Sequence, residues 1–252
     1  DHGGIDNLKR GGSDYTASII GAVLDAEEIQ IWTDIDGMHN NDPRFVEGTR
    51  PVGKLHFEEA AELAYFGAKI LHPSCVLPAK LHNIPVRLLN TMQPEAPGTL
   101  ICNTTPDGSL KAIAAKDNIT AVKIKSGRML LAYGFLHKVF ETFENYRTSI
   151  DMMATSEVGV SVTVDDDSRL AAIIDDLKHF GTVTVDRDMV IICVVGDLQW
   201  EECSFQSQVL EALEGIPVRM ISYGGSNYNI SVLVRRDDKV RALKALSNKL
   251  FK

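Results

Sequence analysis

The sequence lacks the short motifs of the common nucleotide-binding and hydrolytic enzymes. It contains no G-x-x-x-x-G-K-[ST], no G-x-G-x-x-G after a predicted strand, no H-E-x-x-H and no G-x-S-x-G. A P-loop enzyme is therefore excluded. Long apolar runs are also missing, because the longest, Val190 to Val195, is far short of the ~20 residues that span a bilayer. We expect no membrane partner.

Clusters of basic residues and of metal-binding residues are missing as well. No basic run is longer than Arg235-Arg236, and the formal net charge of -8 argues against a nucleic-acid partner. The four cysteines form no C-x-x-C pair, and none of the seven histidines lies at zinc-ligand spacing. We expect reduced thiols, a cytoplasmic location and no protein-built metal site. The chain opens on Asp1 without a methionine or an apolar leader, which predicts a trimmed start or a fragment.

The 252 residues are 44% hydrophobic and 24% charged, which is ordinary globular composition for two or three compact units. Segments typical of strands alternate with segments typical of helices, so we predict an α/β fold. The first part has predicted helices over 13–24, 57–68 and 73–82, and predicted strands over 29–32 and 84–89. A polar loop, Asp34 to Arg44, follows the first strand, where α/β proteins place ligands. A linker rich in Pro and Gly ends near Gly108.

The chain repeats itself after this linker. Ile150 to Met153 lies against Val218 to Ile221, and Val162 to Asp167 lies against Val232 to Asp237. Each copy has the pattern β-α-β-β-α, which predicts two small ferredoxin-like units. We expect their exposed sheet edges to pair with each other or across a dimer.

Several separate segments, taken in order, closely resemble the aspartokinases of the amino-acid kinase family. In the first part these are Arg10 to Thr16, Ile31 to Asp34, Asp42-Pro43-Arg44, Phe66 to Pro73 and Pro97 to Leu100. The repeat resembles that family's paired ACT regulatory domains. The resemblance implies the C-terminal, nucleotide-side lobe of an amino-acid kinase domain over 1–107, followed by ACT domains over 108–188 and 189–252.

The family reaction transfers the γ-phosphoryl group of MgATP to the side-chain carboxylate of aspartate, as the first step of lysine, threonine and methionine biosynthesis. The family's Lys-Phe-Gly-Gly motif, whose lysine contacts phosphates, has no match here, so we expect these 252 residues alone to be inactive. The alternative is a non-catalytic, ACT-containing subunit that senses amino acids. A sensor would not need Arg10, Asp14, Thr33, Arg44 and Lys69.

The resemblance implies roles for individual residues of the first part. Arg10 and Ser13 would bind aspartate, and Asp14 would act in catalysis by orienting the amino acid and the phosphate-binding lysines. The nucleotide would be bound by Thr33, Asp34, His39, Arg44 and Lys69, with His39 standing where the family usually has Tyr. By themselves, Arg44 is more typical of a solvated turn and Lys69 of a helix end, and only the ordered set of motifs favours a role in nucleotide binding for both. Asp36 and Asp42 are interpreted as loop formers rather than metal ligands.

The resemblance also implies an effector site for lysine in the first ACT domain. Its residues would be Met129, Gly134, Phe135, Leu136, Asp151, Ser156, Glu157 and Val158. The turn before the helix offers N–H groups to a carboxylate, and we expect Asp151 to lie close to that turn and to pair with an ammonium group. Alternatively, Met129 and Phe135 are core residues and Glu157 is a hairpin charge. The second copy has Arg219 in place of Asp151, so we expect it to build the interface of a homodimer instead of binding lysine.

Overall fold

A computed structural model of the chain describes residues 12–67, 76–104, 109–126, 133–198 and 204–251. The first part contains, in order, α1 (Gly12–Leu24), β1 (Ile29–Thr33), β2 (Lys54–His56), α2 (Phe57–Tyr65), α3 (Val76–Leu81), β3 (Val86–Asn90) and β4 (Thr99–Cys102). The second part contains β5 (Leu110–Lys125), α4 (Phe135–Asn145), β6 (Met153–Ser156), β7 (Gly159–Val164), α5 (Leu170–Leu177), β8 (Thr182–Gly196), α6 (Ser204–Ala212), β9 (Met220–Tyr223), β10 (Asn229–Arg235) and α7 (Lys239–Leu250). No helix in these ranges is long and apolar enough to cross a membrane.

The first four strands form one mixed sheet in the order β1-β3-β4-β2. β1 runs parallel to β3, β3 antiparallel to β4, and β4 parallel to β2. Val86, Leu88 and Ile101, on the two central strands, are completely buried, so these strands form the middle of the core. Because β1 and β3 are parallel, their carboxyl ends meet at one edge of the sheet, which we call the carboxyl edge.

The start of α2 is fixed by a capping box. His56 Nδ1 accepts a hydrogen bond from the backbone N–H of Glu58 (3.2 Å), and Glu59 Oε2 accepts one from the backbone N–H of His56 (2.7 Å). Glu59 is completely buried, and burial raises the pKa of its carboxyl. The helix therefore begins at Phe57, as the sequence predicts.

α2 packs against both sheets and joins the two parts of the chain. Its buried side chains belong to one apolar core together with residues of β5, β8 and β10. The helix ends at Tyr65, earlier than the predicted end at residue 68. Gly67, with φ at 119°, then passes so close to β5 that a Cβ would lie 2.3 Å from the carbonyl oxygen of Ala115. Only glycine fits this position without a shift of the backbone.

The second part is built on one six-stranded sheet in the order β6-β7-β5-β8-β10-β9, and every neighbouring pair is antiparallel. The two central strands are long, and their register shifts between Lys116 and Ala121. At this irregularity Asn118 has φ of 60° and Asp188 has φ of 55°. Each long strand is thus divided into two halves by an unusual residue in its middle.

The halves define two repeats of the same topology. The first repeat is the second half of β5, α4, β6, β7, α5 and the first half of β8; the second repeat is the second half of β8, α6, β9, β10, α7 and the first half of β5. This confirms the predicted ferredoxin-like pairs. The domain limits stay predictions, but the hydrogen bonds show that residues 110–116 pair with the second repeat, and that the limit after residue 188 falls inside β8.

Four strand segments go beyond the predicted elements: β2, β4 and the first halves of β5 and β8. Thr99–Cys102 follows Pro97-Gly98, so its turn-forming neighbours suggested the end of a domain. Leu110–Lys116 and Thr182–Asp188 mix polar with apolar residues, and their strand character depends on partners far along the chain. Pairing rather than local composition makes these segments strands.

Candidate functional site

Thr33 and Asp34 lie at the carboxyl edge. The carbonyl oxygen of Thr33 accepts hydrogen bonds from the backbone N–H (2.8 Å) and the hydroxyl (2.9 Å) of Thr91, which follows β3. Thr33 Oγ1 donates to Asp34 Oδ1 (3.0 Å), and Asp34 is exposed. The two strand ends are thus tied together, and their polar side chains are left open to a ligand.

α1 brings Ser13 and Asp14 to the same end of the molecule. A short turn joins α1 to β1, and α1 packs so closely on the strand that a Cβ on Gly21 would lie 2.5 Å from Ile29 Cγ1. The 13-residue helix is about 20 Å long and the five-residue strand about 17 Å, so the helix N-terminus returns to the end of the strand that bears Thr33. Arg10 lies outside the described residues.

His39 braces the loop that follows β1. Its Nε2 lies 2.7 Å from Asp36 Oδ1, and its Nδ1 lies 3.2 Å from Thr49 Oγ1. The hydrogen bond with His39 lowers the pKa of Asp36. Because both ring nitrogens are engaged within the loop, His39 can offer a nucleotide only the face of its ring.

Arg44 is held by Asp42 but remains mostly exposed. Nη2 lies 2.6 Å from Asp42 Oδ2, and the Arg44 side chain is 69% exposed. Burial raises the pKa of Asp42, but the hydrogen bonds from Arg44 outweigh this effect and lower it. A guanidinium fixed on one side in this way keeps donors for an anion on the other. Lys69, the remaining predicted nucleotide contact, lies outside the described residues.

No group of three or more His, Cys, Asp or Glu side chains that could hold a metal ion occurs among the described residues. This covers Asp14, Asp34, Asp36 and Asp42. A divalent ion prefers several carboxylate ligands when the protein alone supplies the site.

Gly134 and the β6–β7 turn lie at one end of the second sheet, which we call the hairpin edge. Gly134 precedes α4 with φ of 85°. Glu157 and Val158 form the tight turn between Ser156 and Gly159, and the backbone N–H of Ser126, just after β5, donates to the carbonyl oxygen of Val158 (2.9 Å). Phe135 is 8% exposed, which agrees with a core role, whereas Glu157 is exposed. Leu136 packs partly buried against the same core, and Met129 lies outside the described residues.

Asp151 lies at the opposite end of β6. Its backbone N–H donates to the carbonyl oxygen of Thr163 (2.9 Å), whereas Ser156 pairs with Gly159. Five residues of extended chain span about 16 Å. The expectation that Asp151 and Gly134 share one pocket within a protomer is therefore wrong. The predicted strand starts at Ser149, but β6 starts only at Met153, and Asp151 turns toward the first part of the chain.

The Asp151 carboxylate is the centre of a buried polar cluster. Its Oδ1 accepts hydrogen bonds from Tyr65 Oη (2.8 Å) and Lys116 Nζ (2.7 Å), and its side chain is 1% exposed. Lys116 also pairs with Asp165 (2.8 Å) and lies 4.5 Å from the centre of the Tyr65 ring. Burial raises the pKa of Asp151 despite these donors. The cluster ties α2 to the first repeat.

Sequence reasoning missed Tyr65, Lys116 and Thr91 as site residues. Tyr65 is 86 positions from Asp151, and Lys116 is 35 positions from it. No spacing rule connects residues so far apart. The repeat does offer one signal for a charged contact at this position. It aligns Asp151 with Arg219, so both copies have a charged residue at the same place.

Comparison with known proteins follows the same division of the chain. The model of the amino acid kinase family matches residues 1–90, and that of an ACT domain matches residues 192–250. Aspartokinase 3, chloroplastic, of Arabidopsis thaliana is 42% identical over 98% of this chain and 46% of its own length. The chain spans about half the length of the curated relatives it matches.

Solved structures give the same result. Escherichia coli aspartokinase III with aspartate and ADP has a TM-score of 0.89 at 36% identity, covering 97% of this chain and 57% of that one. The same enzyme with lysine and aspartate has a TM-score of 0.84 at 37% identity, covering 97% and 56%. A structure described as the C-terminal regulatory domain of aspartate kinase from Porphyromonas gingivalis is 57% identical, with a TM-score of 0.52, covering 56% of this chain and 97% of that one.

Proposed function

The chain belongs to the aspartokinase family, and we propose that it supplies the nucleotide side and the paired ACT domains of an enzyme that phosphorylates the side-chain carboxylate of aspartate with ATP. The observation that carries this proposal is the likeness, over 97% of the chain, to an aspartokinase bound to aspartate and ADP. The carboxyl edge supports this proposal, because four residues predicted to contact aspartate or the nucleotide lie at this end of the first sheet. They are Ser13 and Asp14 of α1, and Thr33 and Asp34 at the end of β1.

The described residues fit a nucleotide better than a bare metal ion. Thr33 and Asp34 offer polar groups to the adenosine, and the exposed donors of Arg44 suit phosphate oxygens. Since the described residues form no acidic metal cluster, we propose that Mg²⁺ arrives with the phosphates of ATP. ATP supplies the phosphoryl group, while this chain positions the reactants.

The aspartate carboxylate needs no general base, since a carboxyl with a pKa of about 3.9 is ionised at neutral pH. Catalysis therefore consists of orientation and neutralisation of phosphate charge. We assign orientation of the amino acid to Ser13 and Asp14 at the N-terminus of α1, together with Arg10. Ser13 Oγ donates to Asp14 Oδ1 (3.2 Å), which fixes the two side chains relative to each other.

An aspartyl hydroxamate assay tests the proposed activity. A polypeptide limited to these 252 residues should give no product, because the phosphate-binding lysine motif is not among them. The same chain with a lysine-bearing kinase lobe placed before Arg10 should be active, and there Asp14→Asn should lower kcat far more than it raises the KM for ATP. Glu27→Gln, an exposed acid beyond the other end of α1, is the matched control and should change neither. Activity of the 252-residue chain, or equal effects of both variants, would contradict these assignments.

We further propose that lysine binds at the hairpin edge as a feedback effector. The turn at Gly134 offers N–H groups to its carboxylate, and Glu157, exposed beside Ser156 and Val158, offers charge to an ammonium group. Asp151 is about a strand length away in the same protomer. Asp151 therefore influences lysine binding indirectly, through β6, or it contacts lysine directly in a dimer in which the hairpin edge of a second protomer lies beside it.

Calorimetric titration with lysine distinguishes the proposed roles of Glu157 and Asp151 in lysine binding. A charge-assisted contact contributes about 1.5–3 kcal/mol, so Glu157→Gln should weaken lysine binding roughly 10- to 150-fold. Arg219→Ala in the second repeat is the control and should leave it unchanged. A loss for Asp151→Ala as large as that for Glu157→Gln supports a direct contact, and a smaller loss supports action through β6. Threonine binding as tightly as lysine would overturn the effector assignment.

The edge strands of the second sheet suit a homodimer. β6 and β9 each have one hydrogen-bonded neighbour and carry exposed apolar side chains, among them Met153, Ile221 and Tyr223. Sedimentation should give a mass near two protomers, and a concentration-independent monomer would contradict this.

The non-catalytic sensor is the weaker candidate, because it leaves the whole carboxyl edge without a role. The cytoplasmic location rests on unpaired cysteines such as Cys102 and Cys193 and stays a prediction.

A further inference from the structure

A cavity of about 260 Å³ lies between α2 and the second sheet, and we call it the interface cavity. Its polar wall is formed by Glu62 and Tyr65 of α2, by Asp151, and by Ser222, Ser226 and Ser231 of the second repeat. It lies about a strand length from the hairpin edge, because Asp151 is at the opposite end of β6. Its lining comes from both parts of the chain, so whatever fills it touches both.

The interface cavity has more negative charge than its surroundings neutralise. The polar side chains of Asn229 and Ser226 only partly offset the effect of burial on the pKa of Glu62, and no Lys or Arg of the described residues forms an ion pair with it. Asp151 has Lys116 as its cation, but Lys116 is shared with Asp165. Burial raises the pKa of both Glu62 and Asp151, which shows that their charged forms are poorly solvated.

Two buried polar atoms of the lining residues have unused hydrogen-bonding capacity. Asp151 Oδ2 has no hydrogen-bond partner within the described ranges, because both donors of the cluster go to Oδ1. Ser231 is 1% exposed, and its hydroxyl has no partner there apart from the thiol of Cys193, a weak one. Leaving a buried charged oxygen without a partner costs free energy. Both residues line the interface cavity, so a ligand with positive charge can satisfy both.

We propose that the interface cavity binds a compact cation of charge +1, either an alkali ion such as K⁺ or the ammonium head of a small amine. All of the polar groups around it can present oxygen, which is the ligand atom for both sources. Water alone would satisfy the hydroxyls but would leave two carboxylates with one shared lysine. A divalent ion is a poorer fit, because no third acid joins Glu62 and Asp151 among the described residues. Phe66 and Met152 add apolar wall that can accept a methyl group.

The bound cation would join the two parts of the chain. Glu62 belongs to α2, whereas Ser226 and Ser231 belong to the β9–β10 region. A ligand that contacts both sides favours the arrangement in which α2 lies on the sheet. Binding should therefore raise thermal stability without any need for catalytic activity.

Thermal unfolding in different chloride salts of equal concentration tests the proposal on the full chain. KCl and methylammonium chloride are the probes, and tetramethylammonium chloride, too bulky and without N–H donors, is the reference. We expect the Tm to be at least about 3 °C higher in one or both probe salts than in the reference. A gain in KCl alone identifies an alkali-ion site, and a gain in methylammonium alone identifies an amine site. Equal Tm values in all three salts would overturn the proposal.

Two variants make the test specific to the interface cavity. Glu62→Gln should abolish the salt-specific gain, and in the reference salt it should be at least as stable as the parent, because the poorly solvated charge is gone. Ser231→Ala should reduce the gain and serves if Glu62→Gln fails to fold. Glu141→Gln, an exposed acid on α4, is the control of equal charge and should keep the full gain. An unchanged gain in both cavity variants would overturn the assignment. Loss of kinase activity would not affect this readout.

Discussion

The two repeats of the regulatory sheet place an ion pair at the same position with the charges exchanged. A shift of 70 residues along the chain places Asn118 at the position of Asp188. By the same shift, Lys116 corresponds to Asp186 and Ala121 corresponds to Ile191, so the strand pair Lys116–Ile191 is equivalent to the strand pair Asp186–Ala121. Asp151 of the first repeat pairs with Lys116, in the β5 half that belongs to the second repeat, at 2.7 Å. Arg219 of the second repeat pairs with Asp186, in the β8 half that belongs to the first, at 2.7 Å. The backbone matches too, because Asp151 donates to Thr163 and Arg219 donates to Leu233.

Burial distinguishes these otherwise equivalent pairs. The Asp151 side chain is 1% exposed, whereas that of Arg219 is 35% exposed. The difference comes from α2, whose Tyr65 covers the first pair and donates to it, while the second pair has no such covering helix among its described contacts. Exposed pairs contribute little, but a buried pair is costly to break. The kinase part has thus converted one of two equivalent contacts into the joint between itself and the regulatory sheet.

The largest expected effect comes from removing the buried cation. Lys116→Met leaves the Asp151 carboxylate buried without a counter-charge, and we expect the free energy of unfolding to fall by about 3–5 kcal/mol in urea titrations. The equivalent change in the exposed pair, Asp186→Ala, should cost at most ~1 kcal/mol.

The double variant Asp151→Leu/Lys116→Met sharpens this result. With both charges replaced by apolar groups of similar size, no uncompensated charge remains buried, so the double variant should be more stable than Lys116→Met alone. If the double variant is the less stable of the two, the pair itself, and not the isolated charge, carries the stability. Equal losses for Lys116→Met and Asp186→Ala would remove the distinction between the repeats.

A smaller effect is expected at the helix that covers the first pair. Tyr65→Phe removes the hydrogen bond from Tyr65 Oη to Asp151 while keeping the ring over Lys116, so we expect a loss of about 1.5 kcal/mol. The matched control is Tyr146→Phe, whose hydroxyl donates to the exposed Asp176 (2.9 Å) and whose loss should be undetectable. Similar losses in both variants would show that α2 adds nothing to the pair beyond an ordinary surface hydrogen bond.

The repeat could be predicted from sequence, but its way of pairing could not. Ile150 to Met153 and Val218 to Ile221 are apolar in the same pattern, which was enough to align the copies. Each repeat completes its four strands with one half of β5 and one half of β8, so that both long strands are shared between the repeats. This sharing was not predicted, because residues 110–116 and 182–188 become strands only through distant partners. Local patterns report burial along one element, not which element lies beside it.

The candidate site residues were likewise predictable from local sequence signals, but their distant neighbours were not. Thr33 and Asp34 were predicted as site residues because a polar loop after a buried strand is a local signal, and the parallel pairing of β1 with β3 then places them at an edge. Asp151 was also singled out, but its neighbours were misjudged, since a carboxylate at the start of a strand is ordinarily solvated. Only the packing of α2 against the sheet shows that Tyr65 and Lys116 enclose it.

The smallest expected effect is a difference in pH dependence between Asp151 and its counterpart Arg219. Burial raises the pKa of Asp151 above its ordinary value of 3.8, so the folded chain holds that proton at a higher pH than the unfolded chain does. The stability associated with Asp151 is therefore fully present below the ordinary value and is lost as the pH rises through the raised folded pKa. Asp151→Asn cannot titrate, so its stability relative to the parent should improve as the pH rises from about 4 through the raised folded pKa of Asp151. Arg219→Gln, at the equivalent position, should differ from the parent by the same amount at every pH, because a guanidinium stays charged throughout. Urea titrations of the three proteins at each pH measure this, and a flat or declining difference for Asp151→Asn would show that Lys116 outweighs burial at the joint.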